Sequence, residues 1–219
     1  MIYVTAARSG ENVWVRSNDA ILPNISQSGS NWITQESENL FTRASMTRWK
    51  VPVDNTNTIQ IGWRHFNVEI DPERKGDESK VGKEAIDVIG QTIDRRSYEE
   101  RQQMPSDYDV LVSQRPIAVH RLEHLGTTDR GVNMLRRLIR RGARDGHGAQ
   151  TDNSEAMVAT YSHDTILRIP AKPGEDDRKL LRRVAREVSD IIIESGELGR
   201  ERIATVRARL ASLCERSRN

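Results

Sequence analysis

A single cysteine, Cys214, stands in a chain of 219 residues. One thiol excludes an internal disulfide framework. It also excludes a cysteine-ligated cluster or structural zinc site built from this chain alone. An excess of either charge is missing too, since 34 basic residues against 32 acidic ones leave a net charge of +2. That balance gives no general reason to expect nucleic acid or a membrane as a partner. No apolar run approaches the ~20 residues of a membrane span, and no charged start followed by an apolar stretch marks a signal peptide. A reducing, cytoplasmic setting is the expectation. The chain has no Gly-x-Ser-x-Gly elbow and no Gly-x-x-x-x-Gly-Lys phosphate loop, and nothing repeats internally. What is present, 36% hydrophobic and 30% charged residues, is the composition of a globular chain with one domain as the expected count.

The first seventy residues read as strands. Ile2–Thr5 and Val13–Val15 flank Gly10-Glu11-Asn12, a hairpin signal, and Pro23 ends the second run. Trp32-Ile33-Thr34 is a weaker strand. Met46–Val53 and Thr58–Ile70 alternate apolar with polar across the turn Asp54–Asn57, which places Ile59, Ile61, Trp63 and His65 on one face. A strand pattern that begins at residue 2 leads us to expect further elements, before it or from another chain, that cover its edge.

Residues 71–83 form a charged loop, and Ile86, Ile89 and Ile93 mark a helix. Tyr98–Met104 adds a polar turn, and Asp107–Ser113 is ambiguous between helix and strand. Asp129 is placed to cap a helix carrying Val132, Leu135, Leu138 and Ile139. Residues 142–155 read as a loop and 165–169 as a strand. Asp176 opens a helix with the stripe Leu180, Val184, Val188 and Ile191. After Gly196 and Gly199 comes a second stripe, Ile203, Val206, Leu210 and Leu213.

The segment Pro105–Gly131 carries the most chemistry. Asp107 heads an apolar run, and His120 and His124 follow at the four-residue spacing of a helix face. Asp107, His120 and His124 could together ligate a metal as two imidazoles and a carboxylate, the basis of a metal-dependent hydrolase reading. No Glu follows His120, so the zinc-protease signature fails, and packing or surface roles for both histidines are the simpler account. Arg136, Arg137, Arg140, Arg141 and Arg144 crowd one helix, which reads as a solvated or subunit-facing surface before a nucleic-acid groove. Trp32, Trp49, Trp63 and Phe66 lie on expected strands, where they either pack a core or line an apolar pocket.

Three blocks resemble the C-terminal catalytic domain of Rieske non-haem iron aromatic ring-hydroxylating oxygenase alpha subunits, of the phthalate 4,5-dioxygenase-like and aromatic O-demethylase-like group. They are Asn12-Val-Trp-Val-Arg16 with Leu22-Pro-Asn24; Trp49–Thr58 with Gly62-Trp-Arg-His-Phe-Asn67; and Asp107–Gly131 with Met134–Leu138. The resemblance covers residues 1–145 as a portion of that catalytic domain and leaves 146–219 as a loop and C-terminal helical extension. It implies an α+β fold, a partial helix-grip in which a curved antiparallel sheet wraps a long helix.

It implies further that Asp107, seven residues before Gln114, is the carboxylate ligand of a mononuclear Fe(II), with Asp109 a poorer fit by offset. Asn24, Trp32 and Trp63 become candidate pocket residues. The family's iron-binding histidines lie upstream of the first block, and its [2Fe–2S] cluster belongs to an N-terminal domain that one cysteine cannot build here. The implied partners are an aromatic small molecule, O2 and a reductase using NAD(P)H, in a homotrimer, with no nucleic acid or membrane. The implied reaction is ring hydroxylation or O-demethylation. With one iron ligand of three, the chain alone is expected neither to hold iron stoichiometrically nor to turn over. A non-enzymatic helix-grip binding module and the Asp107/His120/His124 hydrolase stand as alternatives.

Overall fold

The computed structural model describes residues 1–29, 40–65, 96–146 and 160–218. Two compact units divide the chain. One comprises Met1–Lys50, Gln60–Gly76 and Gly131–Asn219, the other Val51–Ile59 and Asp77–Arg130. The expected strand at Trp32–Thr34, the loop at 71–83 and the helix around Ile86, Ile89 and Ile93 lie outside the described residues.

The larger unit is built on an antiparallel sheet. Strands β1 (Ile2–Ser9) and β2 (Asn12–Ile21) form the expected hairpin, with Ser9 opposite Asn12. Gly10 takes φ of +56° in its turn, a conformation that costs glycine little and a branched side chain much. On its other edge β2 pairs with two strands in succession. β7 (His163–Arg168) runs along Asn12–Ser17, and β3 (Ile25–Ser28) takes over at Asp19–Ile21. β4 (Leu40–Arg43) extends the sheet beyond β7, while β5 (Met46–Pro52) and β6 (Thr58–Arg64) extend it beyond β3. The α+β class is therefore as expected. β4 was not foreseen, because four residues are too few for alternation to register.

Residue parity sorts the two faces of this sheet. Val13 and Val15 of β2 and Leu167 of β7 share one face and are buried. Against that face lies α4 (Asp177–Glu194), whose stripe Leu180, Val184, Val188 and Ile191 is buried as its spacing requires. α5 (Arg202–Arg218) adds Val206, Leu210 and Leu213 to the same core. Each such side chain contributes about 1.5–3 kcal/mol on burial. Asp176 caps α4 by accepting from the amides of Arg178 (3.0 Å) and Lys179 (3.3 Å).

α3 (Arg130–Asp145) carries no buried side chain among its residues. It runs past Gly142, where the sequence suggested a loop. Asp129 does not cap it as expected. Its carboxylate turns back to the Gly126 amide at 2.8 Å and closes a 3-10 turn, Thr127–Asp129, that leads into the helix.

The smaller unit contains the turn at Asp54 and two short helices, α1 (Tyr98–Gln103) and α2 (Asp107–Ser113). Asp54 accepts from the amides of Thr56 (2.7 Å) and Asn57 (2.8 Å), and these bonds hold its pKa at about 2.

Candidate functional site

The Asp107 segment is organised by helix capping. Ser97 and Glu100 form a capping box on α1, and Ser106 and Asp109 form one on α2. Asp109 sits at the third helical position, from which its carboxylate reaches back to the Ser106 amide (2.9 Å) and hydroxyl (2.8 Å). The same carboxylate accepts from Arg101 through Nε (2.6 Å) and Nη2, and Arg96 Nη2 stands 3.5 Å away. The Ser106 amide bond and the Arg101 bond lower its pKa to about 2. Asp109 is thus committed to the fold. Asp107 opens the helix at its first position, and its side chain lies outside the described residues.

The helix expected to carry His120 and His124 on one face is not formed. α2 stops at Ser113, and Arg115 takes φ of +70° ahead of Pro116, which cannot donate to a continuing helix. His120 lies in a single 3-10 turn, His120–Leu122, and the following four residues, His124 among them, are non-helical. Without the helix, four-residue spacing no longer aligns the two rings. His120 Nδ1 instead meets Glu123 Oε1 at 3.0 Å, and both histidines are exposed. Among the described residues no three His, Cys, Asp or Glu side chains converge to hold a metal ion. The described residues alone therefore do not fit a mononuclear iron, which asks for two imidazoles and a carboxylate.

Sequence reasoning missed a polar cluster in the larger unit. Asp164 is fully buried and accepts from Trp14 Nε1 (2.8 Å) and Arg16 Nε (2.7 Å) and Nη2 (3.2 Å). The Arg16 guanidinium also lies 4.6 Å from the Trp14 ring centroid. Gly29 meets this group so closely that an added Cβ would stand 1.9 Å from Asp164 Oδ2, leaving room only for glycine.

On the opposite face His163 is buried beside Phe41, with ring centroids 5.9 Å apart. Its Nδ1 meets Thr165 Oγ1 at 3.0 Å, its Nε2 has no partner, and burial lowers its pKa to about 3. Asp19 stands where β3 takes over from β7. It accepts there from the amides of Tyr161 (2.7 Å) and Ser162 (3.2 Å), and burial raises its pKa. A neutral, enclosed histidine and an internally bonded carboxylate position strands and offer no accessible acid, base or nucleophile. The signal for them was present in His163-Asp-Thr-Ile-Leu-Arg168, whose charged residues interrupt an otherwise strand-like run.

The candidate pocket residues are dispersed. Asn24 is half-buried, and its carbonyl accepts from the Lys50 amide at 3.0 Å. Trp63 is 64% exposed on β6, next to the exposed Ile59 and Ile61. Trp32 lies outside the described residues. A cleft of about 290 Å³ opens elsewhere, between Phe41 and Leu167 of the sheet and Leu210, Cys214 and Arg218 of α5. No helix among the described residues is long and apolar enough to cross a membrane.

No family model matches the chain, and no solved structure matches it. The chain is 39% identical over 207 residues to the tert-butanol monooxygenase / tert-amyl alcohol desaturase oxygenase subunit of Aquincola tertiaricarbonis. The alignment takes in 90% of this chain and 43% of that subunit's length. The chain is thus a relative of an oxygenase subunit, of which it spans less than half.

Proposed function

We propose that the chain is part of an oxygenase subunit that uses O2 to oxidise a methyl carbon. The carrying observation is the 39% identity, along nearly the whole chain, to a monooxygenase and desaturase oxygenase subunit. Two substrate classes are in play. The resemblance of the Asp107 blocks suggests an aromatic ring or aryl methyl ether, and the relative's name suggests a small tertiary alcohol. O-demethylation and tert-butanol hydroxylation both begin by oxidising a methyl group. The shared overall step is R–CH3 + O2 + 2e⁻ + 2H⁺ → R–CH2OH + H2O. The electrons come from a reductase component oxidising NAD(P)H. A tertiary alcohol ranks first as substrate, an aryl methyl ether second and ring dihydroxylation third.

On this reading the metal is Fe(II), held by Asp107 with imidazoles that the described residues do not bring, in a Rieske-type homotrimer of helix-grip domains. The support for Asp107 over Asp109 is local: Asp109 is consumed by the Ser106 cap and the Arg101 pair.

The test is a chimera in which this chain replaces the aligned portion of the Aquincola tertiaricarbonis subunit. The expected result is tert-butanol-dependent O2 uptake. Asp107→Ala should abolish it and remove about one iron per subunit, since affinity rests on the full ligand set. Asp109→Asn should retain iron. Full iron content and turnover in Asp107→Ala would refute the ligand assignment. A folded chimera that consumes O2 with neither tert-butanol nor an aryl methyl ether would refute the reaction.

A further inference from the structure

The helix α3 is divided lengthwise between arginine and apolar side chains. At about 100° per residue, Arg136, Arg137, Arg140, Arg141 and Arg144 fall within an arc of about 140°. Val132, Met134, Leu135, Leu138 and Ile139 occupy the complementary arc. Several arginines elsewhere are paired: Arg8 with Asp177, Arg16 with Asp164, Arg101 with Asp109, Arg183 with Glu187. On α3 the exposed Arg137, Arg140, Arg141 and Arg144 form no ion pair among the described residues, not even Arg141 with Asp145 at i,i+4. They stack instead as like-charged i,i+4 neighbours, an arrangement that costs a few tenths of a kcal/mol per pair. Beside them Met134, Arg137, Leu138 and Arg141 line a shallow groove of about 370 Å³.

We propose that this face of α3 docks an acidic protein, one presenting carboxylates about 6 Å apart along a single helix face, the i,i+4 rise that matches the arginine rows. Charge complementarity selects the occupant. A second copy of α3 would set arginine against arginine. A lipid surface needs a continuous apolar arc turned outward, and here Leu135 and Leu138, near the middle of that arc, are half-buried between the exposed Val132, Met134 and Ile139, while Arg137, Arg140, Arg141 and Arg144 are exposed. The stripe is all arginine and no lysine, and the guanidinium fork suits bidentate pairing with carboxylates. The inference stands apart from Asp107 and from the oxygenase reading.

The test titrates the full chain into a fluorescein-labelled helical peptide with glutamates at i, i+4 and i+8. Vesicles of phosphatidylglycerol in phosphatidylcholine and a short DNA duplex are measured in parallel. We expect peptide binding that weakens about tenfold from about 50 to 300 mM salt, because exposed charges are screened over that range. Arg137→Ser/Arg141→Ser should weaken it by a similar factor with an unchanged circular dichroism spectrum. Arg183→Ser should leave it unaltered. If that double variant does not fold, Arg140→Gln/Arg144→Gln serves in its place. Tighter binding to vesicles or to the duplex than to the peptide overturns the proposal. So does equal peptide affinity in a folded stripe variant.

Discussion

His163 makes stability depend on pH in a window where few other groups act. The ring is buried, and its pKa falls from 6.5 to about 3 because burial disfavours the imidazolium, with Arg202 adding repulsion. The unfolded chain therefore binds a proton between pH 6.5 and 3 that the folded chain refuses. A base with a depressed folded pKa loses stability as pH falls below its unfolded value. At about 1.4 kcal/mol per pKa unit, the loss is about 2 kcal/mol at pH 5 and about 5 kcal/mol by pH 3. Asp19 works in the other direction. Its raised pKa lets the folded form take up a proton above the usual carboxylate range, so from there downward it offsets part of the loss. Asp54 and Asp109, with pKa values held at about 2, lose their contribution only below pH 4. From pH 7 to 5 the His163 contribution is read as the difference between the wild-type chain and a His163 variant. Urea unfolding followed by circular dichroism at pH 7, 6 and 5 should show the decline. His163→Asn, which keeps a group able to meet Thr165, should flatten it. An equal decline in the variant would refute the assignment of that proton to His163.

Two further substitutions test the packing of the larger unit. Asp164→Ala leaves Trp14 Nε1 and the Arg16 guanidinium without their acceptor, and should cost about 2–3 kcal/mol. That figure is set below the value for a fully buried pair because the Arg16 side chain is 24% exposed; a double variant with Arg16→Ala that is more destabilised than the sum of the singles would contradict the pairing. Leu213→Ala opens a cavity at a fully buried position and should cost about 2–5 kcal/mol in urea unfolding, against under about 0.5 kcal/mol for the exposed Ile193→Ala.

Legibility in the sequence followed the length of each pattern. The α4 stripe repeats over about three turns and the β1–β2 alternation over two strands joined by a glycine turn, so periodicity located both. β4 is four residues long and gave no signal. The His120–His124 helix was wrongly expected because spacing was read without the backbone: Arg115-Pro116 had already broken the run. Asp19, Asp164 and His163 were passed over because polar residues inside strands look like interruptions. Their role appears only when the register sets Asp164 against Arg16 and brings Tyr161 and Ser162 to Asp19. Such partners lie some 140 residues apart, beyond the reach of any local pattern.

The two aspartates of α2 show how position can separate roles that composition cannot. Asp107 and Asp109 are the first and third residues of α2. The third helical position lets a carboxylate return to the cap residue, and the first does not. Asp109 is drawn into that reciprocal box and pinned further by Arg101, which keeps it ionised down to pH 2 or so and keeps the helix start closed over any working range. A carboxylate so engaged has no lone pairs to spare for a metal without dismantling α2. What it does instead is fix where the first turn begins, and with it the backbone of Asp107. The cap at Ser106 and the Arg101 pair therefore set the helix start from which Asp107 begins, whatever its carboxylate does.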